Sequence, residues 1–277
     1  VEFAPIFSEE IPIIIVWRYM MKKGLFYSIA LFCFISFFSS FTYAAHPLIT
    51  DDTGTQGTGK FQLEINSEYA WDREYGIKEK AGEVATILSY GIVDNMDLVF
   101  GIPYALIDDE EIDTGMKSKV RGIGDASIEL KWRFYEKDGL SMALKPGVIL
   151  PTGDYDKGLS NGRISYGAFF ILTKEVKPIN MHLNLGFYRN ESKNEQRRDI
   201  WHASIAGEYE VTEHLKIVGN IGIETNPDLE YKTEPAFALV GFIYSFTDSL
   251  SFDVGYKYGL TKPESDNTLL LGFTFKF

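Results

Sequence analysis

Residues 60–71, Lys60-Phe61-Gln62-Leu63-Glu64-Ile65-Asn66-Ser67-Glu68-Tyr69-Ala70-Trp71, alternate with a period of two. Phe61, Leu63, Ile65, Tyr69 and Trp71 share one face, while Gln62, Glu64, Asn66 and Glu68 share the other. In an extended chain successive side chains point to opposite sides, so this is a strand with one apolar and one strongly polar face. Downstream the same pattern recurs near 83–93, 96–106, 125–135, 140–151, 163–174, 179–190, 200–211, 214–225, 234–246, 249–260 and 267–277. The total is twelve segments, an even number.

The connections choose among the all-β classes. Val93-Asp94-Asn95 and Glu136-Lys137-Asp138-Gly139 are short, as are those at Lys177-Pro178, Thr212-Glu213 and Thr247-Asp248. The alternate set, 73–82, 107–124, 152–162, 191–199, 226–233 and 261–266, is longer and more polar. Short turns at the end that carries both termini, and long loops at the other, match a transmembrane antiparallel β-barrel with periplasmic turns and extracellular loops. A soluble sandwich has no need of that asymmetry. Aromatics sort the same way. Trp71, Tyr104, Phe187, Trp201 and Tyr258 fall near the loop end, and Tyr90, Trp132, Phe134, Tyr209, Phe242 and Tyr244 near the turn end. Two such belts are expected where rings meet lipid headgroups, and ~9–11 residues suffice for a tilted strand to cross. Outer-membrane lipid is therefore an expected partner. The last segment, Leu269, Leu271, Phe273, Phe275, Phe277, resembles the C-terminal signature read by the barrel assembly machinery, which makes Phe277 the expected contact.

Upstream, Met21-Lys22-Lys23 starts a short cationic stretch, and Leu25 to Phe38 is almost wholly apolar. Thr42 and Ala44 provide the small residues of a cleavage site, so 21–44 reads as a secretory signal peptide and 1–20 as an over-extended start. The apolar core is short for the roughly 20 residues of a spanning helix. The single cysteine, Cys33, lies inside that core with Phe32 before it, the wrong context for lipidation. The remainder thus has no thiol chemistry or sulfur-built zinc site. Residues 1–44 carry as many bases as acids, so the net charge of −12 belongs to the rest. No basic cluster is present to neutralise phosphates, which argues against nucleic acid as a partner. No cofactor is implied.

Alternation places Glu64, Glu68, Glu129, Lys131, Arg133, Lys145, His182, Asn184, His202, Ser204, Glu208, Asp253 and Lys257 inside the barrel. Val99, Gly101, Ala105, Gly167, Phe169 and Ile171 are interleaved with them. Either this is a channel with a charged ladder opposite an apolar wall, or the charges simply satisfy one another in a closed barrel, since buried charges need partners in both cases. An enzyme is the rival class, because some outer-membrane barrels hydrolyse lipids. Of the four histidines only His182 and His202 have a serine nearby, Ser204, and they face inward while lipid approaches from outside. The acidic run Asp108-Asp109-Glu110-Glu111-Ile112-Asp113, followed by Lys117, Lys119 and Arg121, fits no EF-hand spacing and reads as a solvated loop.

Several stretches together carry a family resemblance: HPLITDDTGTQGTGKFQLE from His46, GIGDASIELKWRF, LKPGVILPTGDYDKG, LNLGFYRN and the closing LLLGFTFKF. The chain from about His46 to Phe277 resembles the meta-pathway phenol-degradation (MetA-type) outer-membrane proteins. The resemblance implies passage of small apolar solutes, aromatic ones included, across the outer membrane. It constrains architecture better than cargo. Residues 45–59 then start on the periplasmic side. About 15 extended residues reach ~50 Å, enough to fold back into the lumen. Asp51 and Asp52 could there meet Lys131, Arg133 or Lys145, making the segment a hatch as in long-chain fatty-acid channels. The competing expectation is a wet lead-in whose paired acids are turn residues. Pro47-Leu48-Ile49 is an odd choice for a wet tail and favours the hatch.

Overall fold

The computed structural model describes residues 46–74, 77–111, 117–229 and 231–277. The signal peptide at 21–44 with Cys33, and the start at 1–20, lie outside the described residues. Thirteen strands follow in chain order: β1 Phe61–Glu74, β2 Ile77–Val93, β3 Met96–Glu111, β4 Lys117–Ile123, β5 Ala126–Lys137, β6 Leu140–Leu150, β7 Ser165–Val176, β8 Ile179–Arg189, β9 Asp199–Glu210, β10 Leu215–Glu224, β11 Ala236–Thr247, β12 Leu250–Gly259 and β13 Asn267–Lys276. Each pairs antiparallel with its neighbours, and β1 closes on β13 from Gln62↔Lys276 to Trp71↔Asn267. Closure removes the free edges that lipid would leave unsatisfied.

The barrel has twelve staves because β4 and β5 share one. The lower part of β3 pairs with β5 (Met96↔Trp132 to Gly101↔Ser127), and its upper part pairs with β4 (Tyr104↔Ile123 to Glu110↔Lys117). The break lies opposite Pro103, which has no N–H to continue the ladder, and its carbonyl takes the Gly124 N–H at 2.9 Å. Tight turns close the other end. Asp138 (φ 52°) and Gly139 (φ 71°) form the left-handed pair of a two-residue hairpin. A side chain at Gly139 would come within 2.7 Å of the Glu175 carbonyl.

Two expected outer loops are corrected. Residues 73–82 largely extend β1 and β2, paired as far as Glu74↔Ile77, and 107–124 supplies the tops of β3 and β4. The Asp108 run is therefore strand where it is described, not a solvated loop. Lys119 and Arg121 stand 3.7 and 3.8 Å from Asp108, and Lys117 is 3.6 Å from Glu110. Opposite charges across the ladder allow pairing to run on past the bilayer.

The wall is apolar outside and polar inside. Ile205, Ile221 and Val240 are exposed outward, while their neighbours Ala206, Asn220 and Leu239 are buried inward. Glu64, Glu129, Lys145, Asn184 and Asp253 are buried as well. So large an exposed apolar surface around a polar interior is stable only in lipid. Both aromatic belts form. Trp71, Tyr104, Trp201 and Tyr258 are exposed near the loop end, with Phe187 leaning on Trp201 at 4.7 Å between ring centroids. Tyr90, Trp132, Phe134, Tyr209, Phe242 and Tyr244 are exposed near the turns. Phe277 stacks on Phe61 at 5.6 Å at the closing seam.

At the loop end the connections cap the mouth. Asp125 accepts the backbone N–H groups of Gly153 (3.0 Å) and Asn161 (2.9 Å), which folds the loop 151–164 inward. Leu159 is thereby buried against Ala105 and Ile107 of the inner wall. A side chain on Gly153 would collide with the Leu159 carbonyl at 2.0 Å. The Lys193 N–H ties this loop to the next through the Asn161 carbonyl (2.9 Å), and the other loops are joined in turn by the Arg197 N–H to the Pro227 carbonyl (2.7 Å) and the Thr261 hydroxyl to the Glu234 carbonyl (2.7 Å). Asp125→Ala leaves two N–H groups without acceptors, each costing about 1–3 kcal/mol. Amide hydrogen exchange of 151–164 should then speed at least tenfold with the strands unaffected; unchanged protection would show that Asp125 does not hold the cap.

Candidate functional site

The lumen is filled by the chain's own N-terminal segment, residues 46–59, which crosses it from one wall to the other. His46 hydrogen-bonds Asp253 of β12. Leu48 and Ile49 pack on Ala206, Val218, Phe237, Leu239 and Leu270. Two asparagines then grip the backbone. Asn220 Oδ1 accepts the N–H groups of Ile49 (2.8 Å) and Thr50 (3.0 Å), and its amide donates to the Thr50 hydroxyl (2.6 Å). Asn184 accepts the Asp51 N–H (2.7 Å) and donates to the Asp51 carbonyl (2.8 Å). These side chains replace the water that the backbone polar groups give up on entering.

Asp51 is the centre of the ionic contacts. Its carboxylate receives Lys131 Nζ at 2.9 Å and Lys145 Nζ at 3.1 Å, and Lys145 reaches Glu129 at 3.1 Å. Lys131 also approaches Asp52 at 3.4 Å. Asp51 and Lys145 are each only 1 % exposed, so both charges depend on these partners. Beyond them the Thr53 N–H donates to the Thr173 hydroxyl (3.1 Å) and the Gln56 N–H to Asp97 (3.0 Å). In the turn between β2 and β3, Asp94 accepts the Thr58 hydroxyl (2.6 Å) and N–H (3.1 Å), which hold its carboxyl below the usual range. Gly57 (φ 86°) and Gly59 (φ 76°) turn the segment into β1. Any side chain on Gly91 would strike the Gly57 carbonyl at 1.8 Å.

Below the segment, toward the turn end, lies a polar vestibule of about 360 Å³ lined by Glu64, Asp97, Arg133, His182, Glu208 and Lys216 among others. Above it the space between Ile49, Phe237, His202, Glu224 and Lys257 shrinks to about 40 Å³.

Five of the sequence candidates thus meet in one network: Asp51, Asp52, Glu129, Lys131 and Lys145. Arg133, offered as a partner for the two aspartates, instead pairs with Glu136 at 3.1 Å, because its longer reach carries it down to the turn. Glu64 accepts from Gln62 and Asn66 and faces the vestibule, and Glu68 is half-buried higher on β1. Glu208 binds Lys216 (2.8 Å) with His182 3.8 Å away. Among the residues missed are Asn220, Asp97, Asp94 and Glu224. Their only sequence signal is an inward or turn position, which no local pattern links to residues 46–59.

His202 lies in a second polar network. Its Nε2 is 2.9 Å from the Ser204 hydroxyl, and its Nδ1 is 3.1 Å from Glu224, which also takes the Tyr188 hydroxyl at 3.1 Å. This is the order nucleophile, base, orienter. Ser204 lies mid-ladder, paired with Asn184 and Gly222, so neighbouring backbone N–H groups are committed to the sheet and supply no oxyanion donors.

A family profile described as "Putative MetA-pathway of phenol degradation" matches residues 45–277. No curated protein matches the sequence. Among solved structures the chain is similar to the COG4313 outer membrane channel from Pseudomonas putida F1, with a TM-score of 0.63 and 15 % identity over 82 % of this chain and 98 % of that one. It is also similar to the KdgM porin (TM-score 0.55, 7 % identity, 78 % and 99 % covered) and the NanC porin (0.50, 12 %, 78 % and 100 %). At such identities the likeness concerns the fold.

Proposed function

The chain belongs to the MetA-pathway phenol-degradation family, and from that premise we propose that it is an outer-membrane channel for passive diffusion of small hydrophobic compounds, aromatic ones included, with residues 46–59 as its gate. One observation carries this reading. What obstructs the lumen at mid-depth is a separate segment, joined to the wall through the Gly57–Gly59 hinge. Wall side chains alone do not fill that space. A purely structural barrel would be more simply closed by the packing of its own inward residues. The gate is held by ion pairs and side-chain hydrogen bonds, contacts that water can replace once it enters from the vestibule. Asp51 and Asp52 act as the latch, and Glu129, Lys131 and Lys145 as its keeper.

The test is single-channel conductance and phenol flux in lipid vesicles, with and without residues 46–56, leaving the Gly57–Lys60 connection intact. Removal should raise both severalfold. Conductance and flux that stay near zero in both proteins would overturn the channel and move a structural or surface role ahead.

A second reading, a lipid-modifying enzyme, is favoured only by the Ser204–His202–Glu224 chain. Without oxyanion donors that chain is a satisfied polar network. Ser204→Ala should therefore leave ester hydrolysis by the purified protein at the buffer rate, the same as the parent. A parent turnover that the substitution abolishes would reinstate the enzyme.

A further inference from the structure

The lumen wall is polar almost everywhere that residues 46–59 touch it, with one exception. Ala206 of β9, Val218 of β10, Phe237 and Leu239 of β11, and Leu270 of β13 turn apolar side chains inward and form a continuous cluster. Nothing about closing a polar barrel requires such a strip. Its cover is the one apolar stretch of the segment, Pro47-Leu48-Ile49, with Leu48 and Ile49 buried on it. The wall is cut to fit. Gly241 and Gly255 stand where Pro47 lies, and a side chain at either would come within 2.8 and 2.6 Å of the proline ring. At the edge of the strip, Asn220 Oδ1 is a ready acceptor, filled by the Ile49 and Thr50 N–H groups.

We propose that this strip is the solute-binding patch of the lumen and that Leu48 and Ile49 occupy it as a built-in surrogate ligand, for which an alkyl-substituted phenol competes. The proposal rests on the channel reading and supplies its missing coupling. The patch takes an apolar body of about the bulk of one leucine and one isoleucine side chain, with a single hydrogen-bond donor at one end. An alkylphenol has that shape: its ring and alkyl group replace the two side chains, and its hydroxyl donates to the Asn220 carbonyl oxygen. Binding of such a molecule is exclusive with docking of Leu48 and Ile49, so it shifts the segment outward in proportion to its differential affinity for the two states. A polar solute of equal size leaves the apolar strip unfilled and shifts nothing. Hydrophobic cargo would thus loosen the gate that other solutes find closed.

The absence of cysteine from residues 45–277 gives a clean reporter. In Thr53→Cys the thiol replaces a buried hydroxyl of the docked segment, and its maleimide labelling rate in lipid vesicles reads undocking. Adding 4-butylphenol should raise that rate at least fivefold with saturation, while glycerol has no effect. Leu48→Ala, which weakens the surrogate and leaves the strip intact, should lower the half-saturating concentration at least fivefold. Labelling that ignores 4-butylphenol overturns the proposal, as does an identical response from the Leu48 variant, which would trace the effect to the bilayer. Flux through the protein lacking 46–56 is measured alongside. If that flux rises but labelling does not respond, the channel stands and the patch falls. If labelling responds but flux stays at zero, the patch stands and the channel falls.

Discussion

Asp51→Ala should open the lumen. The carboxylate it removes bridges Lys131 and Lys145, at 2.9 and 3.1 Å. Without it Lys145 loses a carboxylate at 3.1 Å and retains Glu129, and Lys131 retains the longer 3.4 Å contact with Asp52. Stripping one partner from a buried ion pair costs about 3–5 kcal/mol, because a desolvated charge is left behind. The cost falls on the docked state alone, since an undocked segment leaves both lysines open to water from the vestibule. At 1.4 kcal/mol per decade, the docked-to-undocked ratio should fall by roughly two to four powers of ten. The bonds from Asn184 and Asn220 remain, so the segment stays near the lumen and opening is intermittent. Single-channel records should show bursts that the parent lacks, and the amides of 46–56 should exchange faster. Asp51→Asn, which keeps the shape and one acceptor but no charge, should fall between the two. A docked segment with parent conductance in Asp51→Ala would remove the latch from this account.

The second large effect tests the wall. Ile205 is 49 % exposed at the middle of β9, between Leu183 and Ile221 on the adjoining strands. Ile205→Arg would set a cation at mid-depth on the outer face, where an arginine costs about 2–4 kcal/mol in lipid. The same change at Tyr258, in the belt near the loop end, costs only about 0–1 kcal/mol. Folding titrations into lipid vesicles should resolve the pair, with Ile205→Arg destabilised and Tyr258→Arg close to the parent. Equal, small effects at both positions would mean that water, not lipid, bathes that surface.

The strands were legible because their signal is local. Alternation with period two marks Phe61–Trp71 and its successors without reference to any partner, and an even count with alternating connection lengths leaves few closed arrangements. The failures were of one kind. Residues 73–82 and 107–124 look like loops because they are polar, but the first continues the β1–β2 ladder and the second sets Asp108 against Lys119 and Arg121 across the β3–β4 ladder. Pro103, an ordinary strand interruption in sequence, splits one stave in two.

By itself, the sequence determined which residues face inward, since the pleat decides that, and it supplied Asp51 and Asp52 at the head of a segment long enough to reach them. Only the tertiary structure decided the pairing. Asp51 meets Lys131, 80 residues away, and Lys145, 94 residues away, while Arg133, two residues from Lys131 on the same face, turns to Glu136. Barrel closure sets the depth of each inward residue and the angle from which the N-terminal segment passes it. Neither quantity is carried by any local stretch of the chain.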